Sequence, residues 1–353
     1  TLLNALSHAP GFDALDLSTL KFVVAGGMPL QEKMSDIWYQ KIGIRILEGY
    51  GLTEASPIVT INSPTETRFT GSIGLPVPST DVVFRKGGYG SFTVVIAAKA
   101  LRIPLILHES DIVTGLVSKI TGKFALEIFS SFPNTERFEQ NKTTCVGNPI
   151  RTELLEGDKQ KAKEIFKLQG ARPLVLFIGG SQGAQSINNL VLEILAELLK
   201  EFEVVHQTGL ENQKQVMTEA KFLVNKELMQ YYHSFPFLNE TQLKHILAAV
   251  DLVISRAGAG AIFEIAAAKK PAILIPLPGS AQNHQLKNAY CFAENGGGEV
   301  MEEQNLKPHL FLQKLQSLFL RRDVLEVMSE NSGNFARPQS AKVIANYLIE
   351  YLS

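Results

Sequence analysis

Apolar and polar positions along the chain follow two periods in turn. Apolar runs at residues 173–178, 203–206, 232–235, 250–254 and 272–275 read as buried strands, and the stretches between them carry apolar residues at helical spacing. Upstream, residues 92–101 read as a helix, 104–107 as a strand, and 125–128 and 143–146 as further short strands. Residues 159–167 open the next helix pattern. Residues 306–320 and 324–330 are amphipathic, and 340–352 places Val343, Ile344, Tyr347, Leu348 and Tyr351 at helical spacing. Strands alternating with helices predict an α/β fold with mostly parallel sheets and right-handed crossovers.

Two glycine-rich turns interrupt this pattern where chemistry is expected. Ser255-Arg256-Ala257-Gly258-Ala259-Gly260-Ala261-Ile262-Phe263-Glu264 follows an apolar strand and leads into a helix expected from Ile262. Glycines let backbone approach a ligand, and the helix start offers unpaired N–H groups. Glu264, about one turn into the expected helix, can point back to the opening and accept from both hydroxyls of a ribose. Upstream, Gly179-Gly180-Ser181-Gln182-Gly183-Ala184 opens a helix expected to reach about Leu199, and its Ser181 hydroxyl and first amides can cradle a diphosphate. Each turn lies at the carboxyl end of a parallel-type strand, where ligands of open α/β sheets gather. Nucleotide binding is therefore the leading expectation. The alternative, a tight turn with no ligand, stays open for either one alone.

From about Arg85 to Ser353 the sequence resembles the MurG family of N-acetylglucosaminyltransferases. The matching stretches are Lys86-Gly87-Gly88-Tyr89, His108-Glu109-Ser110-Asp111, Gly147-Asn148-Pro149-Ile150-Arg151, the two glycine-rich runs, and Pro276-Leu277-Pro278 with His284-Gln285 and Asn288. The resemblance implies a GT-B type fold, two Rossmann-like domains with a cleft between them. It also implies a C-terminal domain that holds UDP-N-acetylglucosamine. On that basis Glu264 would take the ribose, Ser181 with the neighbouring amides of Gly180, Gln182 and Gly183 would take the diphosphate, and Arg256, Ala257 and Gly258 would also line the donor site. Arg151 would sit near the phosphates, Gln285 and Asn288 at the sugar, and Leu238 beside the uracil. His108 and Glu109 would face the acceptor and are the candidate catalytic residues. His284 is read equally as a ligand contact or a helix-cap histidine. The family implies no metal and no cofactor: helix dipole and amides stabilise the leaving UDP.

Residues 1–84 resemble a different family. Val23-Val24-Ala25-Gly26-Gly27-Met28, Tyr50-Gly51-Leu52-Thr53-Glu54 and Gly71-Ser72-Ile73-Gly74 look like the middle of an adenylate-forming enzyme close to long-chain acyl-CoA synthetases. By that resemblance Tyr50, Gly51, Thr53 and Glu54 form a vestigial nucleotide motif. The phosphate loop, Thr-Gly-Asp segment and catalytic lysine of that family do not occur in the chain, and neither does the MurG-type Gly-Gly-Thr-Gly-Gly-His loop. The expected organisation is thus a fragment over 1–84, an acceptor-domain remnant over 85–150, a donor domain over 151–335 and a returning helix over 336–353. The first domain is expected to be truncated and hybrid. Thr93 and Thr114 stand where the MurG family usually has proline.

Composition narrows the setting. A net charge of −1 and 45% hydrophobic residues describe an ordinary globular chain with no basic excess for nucleic acid. Cys145 and Cys291 lack metal-ligand spacing and suit a reducing cytoplasm. No apolar run reaches a membrane span and no signal peptide is evident; the MurG resemblance implies a cytoplasmic location with peripheral contact at the inner face of the cell membrane. The implied partners are UDP-N-acetylglucosamine and an undecaprenyl-pyrophosphoryl-muramyl-pentapeptide acceptor. Three functions stay open: inverting glycosyl transfer, UDP-sugar binding without transfer, and adenylate formation by the first segment.

Overall fold

The computed structural model describes residues 20, 23–25, 32–51, 58–61, 75–76, 83–86, 92–133, 135, 138–180 and 183–352. The chain divides into two compact units, one of residues 1–108 and 116–128, the other of 109–115 and 129–353.

In the first unit β1 (Val23–Ala25), α1 (Glu32–Ile42), β2 (Ile46–Gly51), β3 (Ile58–Ile61) and β4 (Leu75–Pro76) contribute a sheet in the order β1-β2-β3-β4. The β1–β2 pair is parallel, and β2–β3 and β3–β4 are antiparallel, with a register shift at Tyr50/Gly51. Trp38 of α1 and Ile46 and Leu47 of β2 are buried, while Arg45 bonds Asp36 at 2.6 Å and covers the Tyr39 ring. Further along, β5 (Val83–Lys86) runs parallel to β6 (Leu105–Glu109), with Val83 opposite Leu105, and α2 (Phe92–Ala100) lies between them in sequence. Val95 and Ala98 of α2 pack on Leu105. α3 (Leu116–Gly122) leads to β7 (Glu127–Ser130), which starts two residues later than the apolar pattern predicts.

The second unit contains β8 (Thr143–Cys145), α4 (Lys159–Phe166), β9 (Leu174–Ile178), α5 (Gln185–Glu201), β10 (Glu203–Gln207), α6 (Gln213–Leu223), α7 (Lys226–Met229), β11 (Tyr232–Phe235), α8 (Glu240–Ala249) and β12 (Leu252–Ser255). It continues with α9 (Ala259–Ala267), β13 (Ala272–Leu274), α10 (His284–Glu294), β14 (Gly298–Val300), α11 (Pro308–Leu320), α12 (Arg322–Phe335) and α13 (Ser340–Leu352). Six strands form an all-parallel sheet in the order β11-β10-β9-β12-β13-β14.

Period-two alternation sends successive strand residues into two cores. Val175, Phe177, Val204, Leu252, Ile254 and Ile273 join one with α5 and α11. Leu174, Leu176, Val205, Val253, Ala272 and Leu274 join the other with α4, α8 and α9. Helices cover both faces, which is why these strands read as unbroken apolar runs. The chain leaves β9 toward β10 and β11, then returns to β12 on the other side of β9. This reversal brings the loops after β9 and β12 side by side at the carboxyl edge, the usual ligand position in such sheets.

The structure also differs from the sequence pattern at α9 and β14. α9 begins at Ala259, not Ile262, because small alanines and glycines there are no obstacle once Gly258 takes the extended N-cap conformation. β14 has no counterpart in the apolar pattern: it follows Gly296 and Gly297, whose tight packing against Asn331 and Phe292 overrides the weak strand propensity of the segment.

Candidate nucleotide-sugar site

The turn after β9 is shaped by two glycines with left-handed backbone. Gly180 has φ +87° and Gly183 has φ +80°, and the Gly183 N–H donates to the Gly180 carbonyl at 3.0 Å. Among the described residues a Cβ on Gly180 would meet nothing within 4 Å. A Cβ on Gly183 would lie 2.2 Å from the Thr208 carbonyl oxygen, so β10 and the turn approach as closely as they do only with glycine there. α5 begins directly after, and its N-cap, Ala184, supplies no side-chain cap, which leaves the first-turn amides to a ligand or to solvent. Ser181 and Gln182 lie outside the described residues.

The turn after β12 is its neighbour. Gly258 caps α9 without a side-chain bond, and neither Gly258 nor Gly260 has an atom within 4 Å of a built Cβ. Glu264 therefore sits in the second turn of α9, one turn deeper than the sequence pattern predicts. Its carboxylate is held by Arg151: Nε donates to Oε1 at 3.0 Å and Nη2 to the same oxygen at 2.9 Å. Both guanidinium bonds fall on Oε1, so Oε2 takes neither. Burial raises the Glu264 proton affinity above the usual carboxylate value, and the Arg151 charge opposes that shift.

A family profile for the glycosyltransferase family 28 C-terminal domain matches residues 174–345, and one for its N-terminal domain matches 75–130. A profile for AMP-binding enzymes matches residues 1–86. The UDP-N-acetylglucosamine–N-acetylmuramyl-(pentapeptide) pyrophosphoryl-undecaprenol N-acetylglucosamine transferase of Treponema denticola is 34% identical over 283 residues, 77% of this chain and 72% of that protein. The chain belongs to the MurG family. The Clostridium tetani enzyme of the same name is 39% identical over 245 residues, 69% of this chain and 66% of that one. Among solved structures, MurG of Acinetobacter baumannii superposes with a TM-score of 0.61 at 24% identity, covering 76% of this chain and 73% of its own. A UDP-GlcNAc 2-epimerase of Neisseria meningitidis bound to UDP-GlcNAc gives 0.57 at 15%, covering 76% of each chain. The fold is GT-B type, with two Rossmann-like domains.

Arg151 and Glu264, both MurG-type residues, meet. Asn288, which the resemblance puts at the sugar, is fully buried. Its Nδ2 donates to Asp111 Oδ1 at 2.8 Å and to the Ala257 carbonyl at 3.3 Å, and its Oδ1 accepts from the Ile112 N–H at 3.0 Å. That amide is committed to bracing residues 111–112 and 257. Gln285 Oε1 accepts from the Leu277 N–H at 3.0 Å and the Ala257 N–H at 3.3 Å, so it ties the loops after β12 and β13 together. Arg256 is a strut as well. Nη1 meets Glu303 at 2.6 Å and the Ile275 carbonyl at 3.1 Å, and Nη2 donates to the Ser186 hydroxyl at 2.8 Å. A guanidinium with these acceptors braces the start of α5 against the loop after β13.

Ala257 is fully buried and Leu238 is 2% exposed, so the latter can offer a ligand little beyond its backbone. His284 donates from Nδ1 to the Ala281 carbonyl at 2.9 Å, as a helix-cap histidine does. His108 is fully buried at the end of β6, and Glu109 is 4% exposed with Oε1 accepting from the Ser110 N–H. Both side chains are therefore interior among the described residues, at the carboxyl end of β6 where the resemblance puts them. Tyr50 and Gly51 lie on β2, while Thr53 and Glu54 fall outside the described residues.

Two buried polar residues near these turns escaped the sequence reading. Gln207 Nε2 donates to the Gly180 carbonyl at 2.7 Å, and its Oε1 accepts from the Leu238 N–H at 3.1 Å. His206 is buried between Asn188 Oδ1 at 3.0 Å and the Tyr232 hydroxyl at 2.9 Å. Because Asn188 Nδ2 donates to the Thr208 carbonyl, its Oδ1 must accept, which places the His206 proton on Nε2. Burial lowers the His206 pKa to about 3, so the ring is neutral. The consecutive polar run His206-Gln207-Thr208 at a strand's carboxyl end was the available signal.

Proposed function

We propose that the chain binds UDP-N-acetylglucosamine in its C-terminal unit and transfers the sugar, with inversion, to an undecaprenyl-pyrophosphoryl-muramyl-pentapeptide. The observation that carries this reading is the half-buried Glu264 carboxylate in α9, whose glycine-lined start and that of α5 follow the two strands at the sheet's switch point. The turn after β9 receives the diphosphate through amides that helix α5 leaves uncapped. Glu264 accepts the ribose hydroxyls. Arg151, which already bonds one Glu264 oxygen, takes the phosphate charge that develops as the sugar–phosphate bond breaks. Gln285 and Asn288 act by holding the loops that wall the sugar.

The acceptor hydroxyl must lose a proton near the transition state, and His108 and Glu109 are the candidates for the acceptor side. Glu109→Gln is expected to lower turnover while UDP-N-acetylglucosamine binding stays unchanged. On the domain plan, residues 151–335 carry the donor functions and 336–353 return toward 85–150. Ser340 donates to the Gly147 carbonyl and Tyr347 meets Phe129 edge-on, in keeping with that plan. The site of action is the cytoplasmic face of a membrane, touched peripherally. Leu116, Ile120, Phe124 and Leu126 are exposed beside Lys119 and Lys123, the mixture that seats protein at an anionic lipid surface. Among the described residues no helix is long and apolar enough to cross a membrane. Turnover of UDP-N-acetylglucosamine with a lipid-linked muramyl acceptor tests the reading. Saturable donor binding without turnover in the presence of acceptor would leave a UDP-sugar-binding module in its place.

A further inference from the structure

Gln207 occupies a singular position in the sheet. β10 lies between β9 and β11, and Gln207 is level with Ile178 on one side and Phe235 on the other, the last residues of both strands. The loop after β9 carries the turn around Gly180, and the loop after β11 carries Leu238. Gln207 reaches both. Its side chain is 4% exposed, with Nε2 on the Gly180 carbonyl at 2.7 Å and Oε1 on the Leu238 N–H at 3.1 Å. The orientation of the amide is fixed by its partners, since a carbonyl requires the nitrogen and an N–H requires the oxygen.

We propose that Gln207 is a positioning residue that sets the register between the phosphate-holding turn and the base-holding wall, so that the site takes a nucleoside diphosphate as one unit. The proposal rests on the donor-site reading above. The Gly180 carbonyl receives two donors, Gln207 Nε2 and the Gly183 N–H, which leaves that peptide little freedom to rotate. At the other end, the bond to the Leu238 N–H fixes the backbone whose edge the base would meet. Only a side chain with one donor and one acceptor, at this length, serves both loops at once. Glutamate keeps the acceptor and loses the donor; methionine loses both.

The test is titration of the full chain with UDP and with uridine, on wild type, Gln207→Glu and Gln207→Met, each checked by thermal melting. In Gln207→Glu the wall keeps its bond and the turn loses its own. UDP affinity is expected to fall about tenfold, the worth of one to two hydrogen bonds, and uridine affinity to stay within about twofold. In Gln207→Met both ligands weaken, UDP more than uridine. A merely structural role would lower the melting temperature and leave the ratio of UDP to uridine affinity at its wild-type value, and that result in either folded variant overturns the proposal. If both variants fail to fold, Gln207 belongs to the fold itself and the proposal is wrong. Wild-type protein that binds neither ligand would remove the donor-site reading along with it, whereas wild-type binding with an unchanged ratio removes the Gln207 proposal alone.

Discussion

Gly180 and Gly183 share a left-handed backbone, yet alanine at each should have opposite principal effects. Any alanine there carries the strain of the left-handed region, about 1–2 kcal/mol. At Gly180 nothing else is added, because the built Cβ meets no atom within 4 Å. At Gly183 the Cβ would stand 2.2 Å from the Thr208 oxygen and 2.9 Å from Gly209 Cα, all backbone. The Thr208 carbonyl cannot retreat freely, since Asn188 Nδ2 donates to it at 3.0 Å and Asn212 Nδ2 at 3.2 Å. Displacing it leaves a buried amide under-satisfied, a further cost of about 1–3 kcal/mol. Gly183→Ala is therefore expected to destabilise by about 2–5 kcal/mol and Gly180→Ala by about 1–2 kcal/mol. Binding should invert the ranking relative to stability. The Gly180 methyl would project into the space proposed for the diphosphate, so Gly180→Ala loses UDP affinity out of proportion to its small stability loss. Urea unfolding followed by circular dichroism gives the first quantity and UDP titration of the folded variants the second. A Gly183→Ala protein no less stable than Gly180→Ala, or a Gly180→Ala protein that binds UDP as wild type does, would refute the reasoning.

Other predictions follow from the buried polar groups. Burial alone would raise the Glu203 proton affinity, but His233 at 2.8 Å and the amides of Gln169 and Gly170 outweigh it, so its folded pKa lies below the ordinary 4.5. That stabilisation is present above the ordinary value and lost as pH falls through the lower folded one, so Glu203→Gln should flatten the acid limb of a stability-versus-pH curve. His206 should show no titration by NMR down to pH 5 and should carry its proton on Nε2. Tyr232→Phe, which leaves His206 Nδ1 without its donor, should cost about 1–3 kcal/mol in urea unfolding. A double-mutant cycle on Asp111 and Asn288, 2.8 Å apart, should return a coupling of about 1 kcal/mol in stability.

Much of the C-terminal unit was legible because its strands are buried on both faces and its turns are marked by glycine. The five strand expectations there fall on β9 to β13 with shifts of a residue or two. The juxtaposition of Arg151 with Glu264 was not legible, since their pairing depends on how loops from distant parts of the chain return to one edge. Nor was the double duty of polar residues. Asn288 and Arg256 have the composition of ligand contacts, but buried amides and guanidinium groups must first satisfy themselves, and in this fold they do so on loop backbone. Gln207 was hidden for the reverse reason: a glutamine at a strand's end has no motif of its own, and only the ends of the neighbouring strands give it a task. The order of the β-strands, and hence the switch point, also lies beyond periodicity.

The measurement that bears most directly on the donor site is calorimetric titration of the chain with UDP-N-acetylglucosamine, repeated on Glu264→Ala. Saturable binding is expected, weakened in the variant by about 1.5–3 kcal/mol, the worth of hydrogen bonds to a charged group. Folded protein that does not bind the donor, or a variant that binds it as tightly as wild type, would contradict the placement of the ribose on Glu264 and with it the proposed function.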